Sequence, residues 1–352
     1  MANEDDELPL GDEDAGVFPS VRAFAPAEMV ACEACLRANP PTRMNCLYCG
    51  AAMPATTTGD DLRRPTLRAL ETWEQGFNVV LLCRATDNLG VDQLTEAAAL
   101  LRLEAGQLRE MTGAQTPLPL ARAATRDEAA LVDGKLRGLG WPVEIVSDEE
   151  LGVETHPPKR IRKLDIGADA LTGWASAESA AESVEWERVT LFVAGRIARK
   201  RIEVEERRGG GSGRRGAEGE VVETREFHED ESALDLYVAG SIANWRILAE
   251  GFDYSCLGAA KGLTAAENFK RLVETLIERA TRAVYDDSYR GVRHHLKFAW
   301  PLAEQTEAGS LKRIRPGRYN AEAVTSVTNE TQFTRYGRLL QHFRLRDLAT
   351  NR

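Results

Sequence analysis

The sequence predicts a multidomain α+β protein made of a small four-cysteine unit, a module in the order β-α-α-β-α-β, and a helix-closed antiparallel β barrel or sandwich. Three observations carry this. Four of the six cysteines fall within "CEACLRANPPTRMNCLYCG", from Cys32 to Gly50. Between Phe77 and Ser147 apolar residues recur alternately at strand and at helix spacing. Beyond Leu151 β-branched and aromatic residues dominate until one amphipathic helix begins near Thr264. A length of 352 residues accommodates two or three units that each bury a core.

Composition narrows the function classes. The hydrophobic fraction is 43% and no apolar run reaches the roughly 18 to 20 residues that cross a bilayer, so no membrane span is expected. The N-terminal "MANEDDELPLGDEDAGVF" is acidic and lacks the basic and apolar regions of a secretory signal, which leads to the expectation of a cytoplasmic protein. Charge is uneven. Residues 1–31 carry 1 basic and 8 acidic side chains, whereas the chain from Gly309 onward carries 9 basic and 3 acidic. Phosphates are attracted by Lys and Arg, so the acidic front disfavours nonspecific nucleic-acid binding and any polyanion contact is expected at the C-terminal end. Residues 1–30 form an acidic arm with too little apolar surface to order itself.

The cysteines come next, in a unit spanning 31–50. In a reducing compartment, paired Cys-x-x-Cys motifs read as metal ligands rather than disulfides. Cys32, Cys35, Cys46 and Cys49 are therefore expected to bind one structural Zn²⁺ per chain as a zinc ribbon. Each pair makes a tight knuckle, and two knuckles complete a tetrahedron with no open position. Iron in a rubredoxin-like site, or a redox dithiol, are the alternatives. The spacing Cys-x2-Cys-x3-Asn-x6-Cys-x2-Cys, with Asn39 as the Asn, resembles the Ran-binding-protein type zinc finger. That resemblance implies binding of single-stranded RNA or of a protein. Val30 stands where the family has Trp, Pro40 replaces its aromatic, and only Arg43 matches its arginines, so the finger reads as a rigid knob for protein contact.

Residues 51–66, including "AAMPATTTGDDLRRPT", have linker composition. A module over 67–151 follows. "FNVVLLCRA" predicts a buried strand, and "VDQLTEAAALLRLEAGQLREMTG" predicts two successive helices broken near Arg102 to Glu104. "TPLPLARA" predicts a Pro-bearing edge strand. "TRDEAALVDGKLRGLG" predicts a helix that opens with a capping box, Thr125 to Glu128, and closes on Gly140. "WPVEIVSD" predicts the last strand. This order, with "VVLL" opening and "RDEAALVDGKLRGLGWPVEIV" closing, resembles the C-terminal domain of the bacterial ribosomal stalk protein, a fold shared with ClpS. The resemblance implies docking of protein partners. The families' functional residues are not carried over: Cys83, Arg84 and Ala85 stand where ClpS has its Asn-Asp-Asp run, and Glu96, Glu104 and Glu110 where the stalk domain presents lysines. A fragment from Leu67 to Leu151 is expected to fold alone.

Residues 152–290 are read as a β module. "VEWERVTLFVAGRIARKRIEVEER" predicts long β structure, and 45 residues after "LFVAGRIARKRI" comes "LYVAGSIANWRI", identical at eight of twelve positions. The two read as similar hairpins turning near Gly195 and Gly240. "RRGGGSGRRGAEGE" between them lacks the ending of a phosphate-binding loop and reads as a flexible hairpin connection. "ILAEGFDYSCLG" predicts a further strand, and "TAAENFKRLVETLIERAT" an amphipathic helix with Phe269, Leu272, Val273 and Leu276 on one face. In architecture alone, strands closed by one helix resemble the pleckstrin-homology superfold. Residues 291–352 read as a basic C-terminal extension ending in a loop and a helix.

No catalytic constellation emerges. The five histidines, His156, His228, His294, His295 and His342, sit in no recognisable motif, and the adjacent pair reads as a helix surface. Cys256 reads as a small apolar strand residue. The expectation is a non-enzymatic adaptor or scaffold for protein partners. The alternative is a nucleic-acid- or ribosome-associated factor using the finger, the arginines at 207, 208, 214 and 215, and the basic C-terminus.

Overall fold

A computed structural model of the chain describes residues 24–53, 65–82, 89–209, 220–241, 244–315 and 318–350. The acidic arm up to residue 23, most of the linker, Cys83 to Ala85 and the tip of the Gly-rich connection (residues 210–219) lie outside the described residues. The chain is mixed α/β and divides into two compact units, Met1–Arg64 and Pro65–Arg352.

In the first unit β1 (Val30–Ala31) pairs antiparallel with β2 (Ala38–Asn39). A bridge between Asn45 and Ala52 and a hydrogen bond from the Met53 amide to the Met44 carbonyl extend the order to Met53, beyond the 50 set from the cysteines. Its buried hydrophobic cluster consists of Cys32, Cys46 and Met53. A core this small needs a cross-link or a metal to hold it.

The second unit begins with β3 (Phe77–Leu81), α1 (Val91–Leu101), α2 (Ala105–Gly113), β4 (Leu118–Ala123), α3 (Arg126–Gly138), β5 (Val143–Ser147) and α4 (Asp148–Leu151). The sheet order is β4-β3-β5, antiparallel on both sides of β3, which leaves Pro119 on an edge strand. Arg102 adopts φ 57 and separates α1 from α2. Thr125 Oγ accepts from the Glu128 amide at 3.2 Å. The Glu128 carboxylate does not return the bond of a capping box; it accepts from the amides of Thr66 and Leu67 at 2.7 and 2.8 Å and ties the start of this unit to α3. Gly140, at φ +83, ends α3 as its composition implies.

β6 (Lys159–Ile161), β7 (Lys163–Ile166), β8 (Ala170–Trp174) and β9 (Glu182–Glu185) lead into two long strands, β10 (Val189–Gly209) and β11 (Glu220–Val238). Then come β12 (Trp245–Leu248), α5 (Ala265–Arg279), β13 (Val284–Asp286), α6 (Tyr289–Leu296), β14 (Ala303–Arg315), β15 (Arg318–Thr328) and α7 (Glu330–Thr350). Seven strands form one sheet in the order β14-β15-β10-β11-β12-β6, with β13 joining β10. The path has two ends, and β6 pairs with β12 and β13 with β10 in parallel. The expected antiparallel barrel or sandwich is thus an open mixed sheet in which β6–β12 and β10–β13 are parallel pairs, each joined by a long crossover rather than a hairpin.

Strand alternation builds a core on each face of β10 and β11. Leu191, Val193, Ile197, Ala233 and Tyr237 join a cluster containing Phe333, Tyr336 and Leu339 of α7, Tyr289 and Leu296 of α6, and Val79, Leu120 and Val143 of the β4-β3-β5 sheet. Phe192, Leu234 and Leu236 point the other way, to Phe269, Leu272, Val273 and Leu276 of α5. The first cluster draws residues from both sides of 151/152 and 290/291. Composition marks loops, and it cannot show that apolar faces on either side of a loop cover each other.

Three further readings are corrected. Gly195 is not a turn: β10 runs straight through it, opposite Ala233, and only the first residues of the two similar stretches face each other, Leu191 opposite Tyr237 and Phe192 opposite Leu236. Gly195 is small because a Cβ there would stand 2.5 Å from Phe333 and 2.9 Å from Tyr289. Only Gly240, at φ +73, serves a turn. Cys256 lies in a 3-10 turn, Tyr254–Ala260, rather than a strand. The basic C-terminus is not an appendage. Arg335 and Arg338 of α7 are 1% and 3% exposed, and they reach the carbonyls of Thr72 and His156 at 2.9 and 2.7 Å.

Two buried ionic centres hold α7 in place. Asp148 accepts from the Gly76 amide at 2.8 Å, from Asn78 Nδ2 at 3.0 Å and from Arg122 Nη2 at 2.6 Å, with Arg335 Nε 3.9 Å away. Asn78 Oδ1 in turn accepts from Trp300 Nε1 at 2.7 Å. Burial lowers the Arg335 guanidinium to about 10 although Asp148 supports its charge. On the other side Arg246 donates to both oxygens of Asp235, each at 2.7 Å, and to Glu330 at 3.2 Å.

Candidate metal centre

The four cysteines converge in the first unit. The Sγ atoms of Cys32 and Cys49 are 3.6 Å apart, those of Cys35 and Cys46 3.5 Å, and all four lie within 4.8 Å of one another. None is in a disulfide. Four sulfurs around a tetrahedral ion at about 2.3 Å stand about 3.8 Å apart, so the set fits a metal ion with only small adjustment.

The backbone explains why the knuckles form. The Leu36 amide donates to the Cys32 carbonyl at 2.7 Å, and the Gly50 amide to the Cys46 carbonyl at 3.0 Å, with φ +58 at Leu36 and +74 at Gly50. Asn39 is the supporting residue whose role the spacing alone does not disclose. It is fully buried; its Nδ2 donates to Cys46 Sγ at 3.4 Å and to the Arg37 carbonyl at 2.8 Å, and its Oδ1 accepts from the Leu47 amide at 2.8 Å. One side chain thereby joins both knuckles and aims a sulfur.

Electrostatics prepare the site unevenly. Burial opposes ionisation of Cys46, but the amides of Tyr48 and Cys49 and the Asn39 side chain outweigh it and bring the thiol down to about 6. At Cys35 the Arg37 amide lowers the pKa, and burial together with the three neighbouring sulfurs overrides it and pushes the thiol up to about 12. A cation at the centre removes this conflict by stabilising all four thiolates together.

The remaining candidates are dispersed. Burial pushes the Cys256 thiol up to about 11, away from the thiolate a nucleophile needs. A cleft of about 350 Å³ in the second unit has an apolar floor that includes Leu82, Leu191, Val284 and Phe343, with Asp286 and Arg344 also at its wall. Asp286 accepts from Ser288 Oγ at 2.6 Å, and hydroxyls continue inward through Tyr336 to Thr116. No sequence motif marks this cleft, because its residues come from segments far apart in the chain. Among the described residues no helix is long and apolar enough to cross a membrane.

Comparison of the chain with protein-family models, with curated proteins and with solved structures finds no match to any of them.

Proposed function

We propose that the chain is a non-enzymatic adaptor, and that its four-cysteine unit is a Zn²⁺-stabilised knob that binds another protein. The observation that carries this is the display of large apolar side chains on a unit with almost no core. Leu36 is 81% exposed, Leu47 54% and Tyr48 56%. Leu36 follows directly on the first Cys-x-x-Cys pair, while Leu47 and Tyr48 are the two residues inside the second. The metal that would fix both knuckles would also fix these side chains, and rigid exposed apolar groups lose little entropy when a partner covers them. Zinc suits a closed tetrahedral four-thiolate set with no redox role. The likeness of residues 67–151 to the stalk and ClpS fold supports protein docking as the task of that segment as well.

A second reading, recognition of single-stranded nucleic acid, is favoured by one observation. The Arg37 guanidinium lies over the exposed Tyr48 ring at 4.8 Å, an arrangement that can extend to a base, and Arg43 is exposed nearby in sequence. The C-terminal arginines weigh against it, since Arg335 and Arg338 are buried.

Two experiments test the proposal. The purified full-length protein is expected to hold one zinc through four thiolates, and Cys46→Ser is expected to lower that content without changing the unfolding of residues 65–352, which have a core of their own. Failure of Cys46→Ser to reduce bound zinc would remove the four-thiolate assignment. Leu36→Asp combined with Tyr48→Ala is expected to abolish protein partners recovered from the native host after nuclease treatment, with zinc retained. Submicromolar RNA affinity at physiological salt, weakened by Arg43→Ala, would instead establish the second reading.

A further inference from the structure

The adjacent histidines that read as a helix surface are not equivalent in the fold. His294 is exposed, whereas His295 is 5% exposed, and its ring makes no hydrogen bond to any described residue. Opposite it, α2 packs on α6 and brings Glu110 to the pair. One ligand atom from each of Glu110, His294 and His295 lies within 4.8 Å of the other two, and the two imidazoles stand side by side with centroids 3.7 Å apart.

We propose that Glu110, His294 and His295 form a second metal site, for a divalent first-row transition ion such as Zn²⁺, distinct from the four-cysteine centre. Donors at about 2.0–2.2 Å around a tetrahedral ion stand about 3.4 Å apart. Closing from the observed spread takes a movement of about 1.5 Å at most, which the exposed Glu110 and His294 side chains supply by rotation while His295 stays in place. Two imidazoles and one carboxylate select zinc, cobalt or nickel over magnesium or calcium, which prefer all-oxygen sites. Three protein donors leave one position open to water or to a ligand oxygen, unlike the closed four-thiolate centre. Bound metal would also link α2, from the first half of the second unit, to α6 from its second half.

The test is metal counting on the full-length protein after dialysis against micromolar Zn²⁺. Wild type is expected to hold one ion more per chain than Glu110→Gln and one more than His294→Ala. Both substitutions are at exposed positions and leave the buried His295 untouched. Because an ion bound only to the folded state stabilises it, added Zn²⁺ is expected to raise the unfolding midpoint of the second unit in wild type and not in either variant. With Co²⁺ as the probe, the ion lost in the variants is expected to be one without thiolate-to-cobalt absorption. Equal metal content in wild type and both variants, whatever the cysteines hold, would overturn the proposal, as would loss of a thiolate-bound ion alone.

Discussion

Asp148→Ala is expected to destabilise the second unit by about 3–5 kcal/mol, because it strips the counter-charge from two arginines that have no access to water. Asp148 is buried with Arg122 and Arg335, and the same carboxylate satisfies the Gly76 amide and Asn78. Arg335 is the more exposed to the loss in energetic terms. Its Nε and Nη1 find no hydrogen-bond partner among the described residues, so Asp148 is the anion its buried charge depends on. Against a typical total of about 5–15 kcal/mol, this removes much of the margin. Urea unfolding followed by circular dichroism measures it. A loss below about 1 kcal/mol would show that water reaches the arginines and that the centre is not closed. Adding Arg122→Met to Asp148→Ala is expected to recover part of the loss, since one of the two stranded charges is then gone.

A fragment comprising residues 65–151 is expected to show no cooperative unfolding transition, while residues 65–352 show one. This reverses the autonomy that the sequence suggests for that segment. Its β4-β3-β5 sheet and helices share one apolar cluster with Tyr237, Tyr289, Trp300, Phe333 and Tyr336, none of which the fragment contains. Its polar interior is equally incomplete. Asn78 would lose the Trp300 indole, Thr116 the Tyr336 hydroxyl at 2.9 Å, and the Thr72 carbonyl the Arg335 guanidinium. Each lost partner exposes or strands a group that the intact unit buries, and about 85 residues have little margin to absorb this. A sigmoidal urea transition with dispersed amide resonances from the fragment would restore the segment as a domain.

The sequence by itself determined the local features. Helix ends are written in short-range chemistry, so Thr125 and Gly140 mark caps that the fold uses. The amphipathic face of Phe269, Leu272, Val273 and Leu276 is set by a spacing of three and four residues and is buried as a set. The cysteine cluster is legible for the same reason, since two residues between ligands suffice to shape a knuckle. Tertiary structure decided everything that depends on which surfaces meet. Whether Gly195 turns or passes under an aromatic ring depends on Phe333, far away in the chain. The arginines of α7 look like a basic surface in one dimension, but the fold supplies Asp148, the Thr72 carbonyl and the His156 carbonyl to them and so turns them inward. The Glu110, His294 and His295 cluster exists only because α2 packs on α6. Local signals act through hydrogen bonds and side-chain periodicity within a few residues. Long-range burial is set by how whole faces cover one another, and no neighbouring residue records which face that is.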